Sequence, residues 1–283
     1  ILNPLGSVNS SGIYAEAYPY TEPASFTNNG TLTIQEGGYA SVVVDTITNT
    51  GTIDNSGDFY LGAVGETVNR GTINNQGYFS IPIFRQLDEE TQEQIILPCG
   101  PVTNAAGAAI NNSGDFFVSW STESFTNAGT IISNGASFEF ICPVTNTGTL
   151  TIQDGCYSSV FSITAEMAAD GSDHIAGLTN SGTITVTGGA TLDLNSNGAE
   201  NQSVNTGTIT VADGSGLGVI GGAALDNQGT LTVSGQDASL SVGADYTYYD
   251  EELGEDVHVS NTGTLVNNGT ITGSGSTVTI FVA

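Results

Sequence analysis

The chain has 283 residues, with 29 acidic side chains set against Arg70, Arg85 and no lysine, for a net charge of −27. Nucleic acid is excluded as a partner, because neutralising phosphates takes Lys and Arg, and anionic membranes would repel the chain. Charged residues make up only 11% and there are 38 glycines, yet Val, Ile, Leu and Phe recur too regularly for disorder, so the composition reads as all-β.

Residues 1–26, "ILNPLGSVNSSGIYAEAYPYTEPASF", are apolar and aromatic and are expected to form an N-terminal extension or cap. The sequence opens on Ile1 without a basic leader, as a mature secreted chain would, so an extracellular or cell-surface location is expected. No run reaches the roughly 18 apolar residues of a membrane-spanning helix, so no membrane insertion is expected.

The repeat begins at Thr27. "TNNGTLTIQEGGYASV" from Thr27 and "TNTGTLTIQDGCYSSV" from Thr145 align without a gap and match at twelve of sixteen positions. Asn-x-Gly recurs at Asn28, Asn49, Asn55, Asn69, Asn75, Asn112, Asn127, Asn146, Asn180, Asn205, Asn227, Asn261 and Asn267, and ten of the thirteen run straight into Thr. Alternation follows, as in Thr31-Leu32-Thr33-Ile34 and Thr183-Ile184-Thr185-Val186. Period two with β-branched residues predicts strands buried on one face, aliphatics inward and threonines outward. Gly is expected to supply a left-handed corner and Asn to bond the backbone beside it.

Spacings of 21, 20, 19, 25 and 22 between major asparagines suit one solenoid coil each. Residues 27–283 are therefore expected to form a parallel β-solenoid, or stacked β-arches, with coils of about 20–25 residues. A two-sheet β-sandwich is the alternative. In the solenoid, Asn28, Asn49, Asn69, Asn127, Asn146, Asn180, Asn205, Asn227 and Asn261 are expected to stack as a ladder of amides at the corners. Three stretches break the rhythm and are expected to be loop insertions: 81–103, 161–179 and 244–258.

Cys99, Cys142 and Cys156 form an odd set. In an oxidising setting an odd count ties chains together or leaves a thiol over, so at least one disulfide between subunits is expected. The acidic run Asp250, Glu251, Glu252, Glu255 and Asp256 is a candidate calcium site, though it lacks the residue placement of an EF-hand loop. No other cofactor is expected. His174 and His258 match neither a catalytic triad nor, with the cysteines, a zinc signature. A uronate lyase would need cations that two arginines do not supply. Asp54 and Asp58 flank a corner, and a paired-carboxylate hydrolase is the remaining enzymatic reading; no enzyme activity is expected.

The sequence finishes on "STVTIFVA", an alternating strand with no polar cap, and an open edge templates further pairing. Asn-x-Gly-Thr-[Ile/Leu] repeats, absent lysine and sparse cysteine resemble the sheath-forming proteins of methanogenic archaea. That resemblance implies amyloid-like stacked β-arches joined by disulfides and strand pairing into an extracellular sheath. Fungal hyphal cell-wall adhesins and autotransporter passengers look similar. The expected function is a self-assembling structural protein of a sheath, surface layer or fibre, partnered by its own copies and by other envelope components. A surface adhesin that binds glycan or another cell is the alternative, and a polysaccharide-degrading β-helix enzyme the third.

Overall fold

A computed structural model describes residues 6–8, 13–16, 24–87, 94–163, 173–196, 202–250 and 255–280. The fold is a parallel β-solenoid whose coils each carry three short strands. The first strand of a coil ends on asparagine, as in Ser25–Asn28 and Phe125–Asn127. The second is the Thr-aliphatic run, as in Thr31–Ile34 and Thr149–Ile152. The third is represented by Tyr78–Ile81 and Asp115–Val118. Early in the column, Tyr39–Asn49 and Asp58–Asn69 run unbroken from the third strand of one coil into the first strand of the next.

Stacking turns these three strands into three faces. Face 2 is an eleven-stranded sheet that takes its strands in chain order from Gly6–Val8 to Thr270–Ser274. Setting aside Gly6–Val8, that leaves ten complete coils among the described residues. Faces 1 and 3 join through the long strands into a second, nineteen-stranded sheet. Every named strand pair between coils is parallel, with like residues in register: Asn28 lies opposite Asn49, and Leu150 opposite Ile184. Among the described strands only two pairs are antiparallel, the local hairpins 84–87 with 94–97 and 244–250 with 255–261. A two-sheet antiparallel sandwich is thereby ruled out.

Alternation does the sorting. Leu32, Ile53, Ile110, Leu150, Ile184, Ile209 and Leu231 form one buried column on face 2. Phe59, Phe79, Phe116 and Phe138 form another on face 3, with successive ring centroids 5.4, 4.8 and 5.1 Å apart. Each such side chain contributes about 1.5–3 kcal/mol, and no single coil could offset its ordering cost alone.

The asparagines carry the rest of the interior. From Asn28 through Asn49, Asn69, Asn104, Asn127, Asn146, Asn180, Asn205 and Asn227 to Asn267, each Nδ2 donates to the next Oδ1 at 2.7–2.8 Å. Each of the first nine Nδ2 atoms also donates to a backbone carbonyl of the following coil, such as Thr149 O from Asn127 at 3.0 Å. One expected member and one omission need correction. Asn261 is not in the ladder: it ends a hairpin strand opposite Ala244, and Asn267 takes the corner six residues later. Asn104 is a member although Ala105-Ala106-Gly107 follows it, because its corner is two residues longer than the Asn-x-Gly kind.

The corner glycines also depart from expectation. None of the Asn-x-Gly glycines adopts a left-handed φ. They are glycine because the coil below leaves no room: a Cβ on Gly182 would overlap Gly148 O, and one on Gly207 would overlap Gly182 O. Left-handed residues occur mostly at the wider corners between faces 2 and 3, as at Gly37 and Asp154, and also at Gly107 in the longer Asn104 corner and at Gly221, Gly222 and Gly243 between faces 3 and 1.

Asn127→Ala is expected to cost about 2–5 kcal/mol, since it strands the Nδ2 of Asn104 and the Oδ1 of Asn146 in the interior. Urea melts at constant m-value measure it; a loss below about 1 kcal/mol would show the ladder to be incidental.

Candidate functional site

The column offers four places where chemistry can occur: its interior, its three outer faces, the edge where insertions leave, and its C-terminal end.

Inside, a second polar column answers why the duplicated phrase has Cys156 where its first copy has Gly38. On face 2, Asn55 donates to Asn75, Asn75 to Asn112 and Asn112 to Ser133 Oγ, at 2.7, 2.7 and 2.9 Å. Ser133 Oγ then meets Cys156 Sγ at 3.3 Å. In the next coils the aliphatics Ile152, Val186, Val211 and Val233 occupy that register. Cys156 thus closes the short amide column where it gives way to hydrocarbon. At its corner the Cys156 N–H bonds to Gln153 O, as Gly38 bonds to Gln35 O and Ala190 to Thr187 O, so the position takes a small residue.

Cys99, Cys142 and Cys156 are all free and at most 2% exposed. Burial pushes the Cys99 thiol up to about 11 and Cys142 to about 12. The structure shows no disulfide among them, and their burial gives the expected bridge between subunits no support, although Cys99 also lines the cavity described below.

Of the acidic run, Asp250 lies opposite Glu255 and Tyr249 opposite Asp256 at the turn end of the second hairpin, while Glu251 and Glu252 fall outside the described residues. Among the described residues no group of three or more acidic, His or Cys side chains is placed to hold a metal. His258 stands opposite Thr247 in the same hairpin. Asp54 faces outward on face 2 and accepts from Asn74 Nδ2 at 2.7 Å, whereas Asp58 opens a strand of face 3. The corner at Asn55 therefore separates these two carboxylates onto different faces.

The outer faces differ sharply. Face 3 carries tyrosines and acids. Tyr39, Tyr60 and Tyr78 run up it with ring centroids 5.2 and 5.7 Å apart. Further along, Glu139, Ser159, Asp193 and Gly218 share one outward column. Burial pushes Asp193 up to about 6, against a hydrogen bond with Tyr157 that pulls it down; burial and Asp115 also raise Glu139. A Cβ at Gly218 would collide with Asp193 Oδ1, so glycine makes the space this carboxyl occupies.

Face 2 is the opposite case. Its ten strands present two outward positions each, and fifteen of those twenty are threonine, the others being Asp54, Asn74, Ala109, Asn111 and Ile132. From Thr149/Thr151 to Thr270/Thr272 the array is unbroken over five coils. Only Asp54 brings a charge to it.

Long connections leave the column along one edge, between face 3 and face 1: residues 82–101, 162–177, 196–201 and 243–263. At this edge a cavity of about 490 Å³ is lined by Trp120, Thr122, Glu123, Ile141, Asp173 and His174, among others. The Trp120 indole stacks on the His174 ring at 4.0 Å, and Thr122 Oγ1 is buried with no hydrogen-bond partner. The sequence flagged His174 but not the Trp120 that it meets, fifty-four positions earlier.

The two ends are unequal. At the N-terminal end Phe26, Leu32, Ile34 and Ala40 are at most 4% exposed. At the C-terminal end Leu265 and Ile271 are only half-buried, and Val278, which stacks on the buried Leu240, is 48% exposed. Asn267 is exposed, and its Nδ2 turns back to Gly269 O of its own corner at 3.3 Å.

No protein-family model matches the chain, and neither curated proteins nor solved structures give a match.

Two outcomes are expected here. All three thiols should stay silent to an alkylating reagent at pH 7.5 until the chain is unfolded; rapid labelling of the native protein would contradict their burial. Because Asp193 titrates higher folded, at about 6, than its unfolded value of about 3.9, its own contribution to stability is greatest below pH 4 and is lost as pH rises through 6, by about 3 kcal/mol. Asp193→Asn should recover that amount at pH 7 and change little at pH 4. Equal effects at both pH values would refute the assignment.

Proposed function

We propose that this chain is an extracellular structural protein whose column is lengthened end to end by further copies, as in a sheath, surface layer or fibre. The observation that carries this reading is the column's self-complementarity: among the described residues each coil pairs in parallel register with the next and passes on one amide ladder from Asn28 to Asn267. The inward positions Leu265, Ile271 and Val278 of the last described coil, only partly covered, are the ones that a further coil covers elsewhere in the column. A strand edge of this kind pairs with whatever parallel strand meets it in register. Stacking by strand pairing needs no disulfide, which fits the buried, free cysteines. The net charge of −27 opposes association at low salt, so assembly should strengthen as salt or divalent cations screen it.

The alternative, a surface adhesin, is favoured by one observation: the cavity beside Trp120 at the edge from which the insertions leave. There the column would act as a stalk and the insertions as the displayed loops. The same edge would be available in an assembled filament.

Light scattering and electron microscopy across protein and calcium concentrations separate the readings. Self-assembly predicts elongated particles that grow with concentration, and Val278→Lys, which puts a charge on the open end, should shift their onset at least tenfold higher. A protein that stays monomeric at millimolar concentration with calcium present would end the structural reading.

A further inference from the structure

Face 2 points to a partner that the end of the column does not. We infer that its threonine array is an ice-binding surface. The array is periodic in two directions. Adjacent coils repeat about every 4.8 Å, and the two outward threonines of one strand lie about 6.7 Å apart, twice the rise per residue. Threonine is stiff at χ1, so each site holds one methyl and one hydroxyl in a fixed direction. At one point the spacing is seen directly: Thr272 Oγ1 lies 3.2 Å from Thr232 Oγ1 of the neighbouring coil.

A surface of this kind selects its partner by lattice. Water molecules joined tetrahedrally by hydrogen bonds of about 2.75 Å have second-neighbour oxygens about 4.5 Å apart and repeat every ~7.3 Å along the hexagonal axis. The coil step differs from the first spacing by about 0.3 Å, which over the four steps from Thr149 to Thr270 accumulates to about 1.2 Å. That is well under half an oxygen spacing, so the whole array stays in register with one ice plane. Methyl groups order the water between the sites and hydroxyls anchor it.

Three further features favour ice over other partners. Charged groups, which hold liquid-like hydration shells, are nearly excluded from this face although the chain carries 29 acids. The aromatic side chains that would serve as platforms for sugar rings lie elsewhere, on face 3 and beside Trp120. Among the described residues the long connections join the column at the opposite edge, between faces 3 and 1. A folded protein partner would be met by relief and anchoring pockets, and on face 2 two such hollows lie beside Asn74 and Asn111 and beside Thr33, outside the stretch from Thr149 to Thr272.

The test uses the full chain. Wild-type protein is frozen slowly onto a cold finger beside serum albumin, and the melting–freezing gap of its solution is measured. The expected result is at least tenfold enrichment in the ice over albumin and a measurable gap. The double variant T185K/T210K, at the middle of the array, should lose both by tenfold or more. T145K, outward on face 1, should keep both, and matching circular dichroism melts verify that each variant folds. Exclusion of the wild type from ice overturns the proposal, as does full retention by T185K/T210K. Wild type that ignores ice but sediments with microcrystalline cellulose, or dimerises through face 2, overturns it in favour of those partners. None of these results depends on end-to-end growth, which Val278→Lys probes separately.

Discussion

The structure depends on one geometric condition: each coil must sit in register on the one below, so that like side chains meet like. Parallel strand pairing fixes the vertical step, but it does not by itself prevent a slip along the strand. The asparagine ladder does. A buried amide has two donors and an acceptor that must be satisfied, and here they are met only by the amide and a carbonyl of the adjacent coils. A slip by one residue would turn every amide outward and every threonine inward, leaving polar groups unpaired in a hydrocarbon interior. The aliphatic columns would tolerate some repacking; the amides would not.

That condition also explains the glycines. With the asparagine turned inward at the end of a strand, the backbone at the corner lies so close to the coil beneath that no Cβ fits between Gly182 and Gly148 O. Asn and Gly are thus two parts of one contact, the first pulling successive corners together and the second allowing the approach. Where the second strand ends on an aliphatic residue, as at Ile152 or Val186, the corner widens to four residues and a left-handed residue appears. The chain uses two corner designs, and the inward residue at the strand end tells them apart except at Asn104, whose corner is of the wider kind with Gly107 left-handed.

Much of this was legible in the sequence, because period-two alternation and the recurrent Asn-x-Gly depend only on local chemistry. The parallel solenoid followed from them. What escaped were features set by neighbours in space. Asn104 lacks the motif because its corner is longer, yet the amides of Asn69 and Asn127 need a partner between them. Asn261 has the motif but ends a hairpin strand, and the motif does not record which coil a strand belongs to. The cysteines read as staples by count alone, whereas their burial follows from where the coils place them. Trp120 and His174 meet only because a long connection folds back onto the edge of the column.

A solenoid built this way separates its tasks by face. The interior is committed to register. Face 3 carries acids, and one of them, Asp193, is held partly buried at a cost that grows with pH. The edge between faces 3 and 1 takes the long connections, and close glycine approaches such as Gly100 on Gly65 O and Gly263 on Val219 O hold the chain to the column where it returns. Face 2 is bounded on both sides by corners that tolerate little change. Its strands therefore remain the most regular in the molecule, from Thr31–Ile34 to Thr270–Ser274. Regularity inside is imposed by amides and aliphatics, and alternation carries it to the surface as rows of threonine. An ordered outer lattice thus follows from the same constraint that orders the core, and a partner that is itself a lattice can read it without any change in backbone.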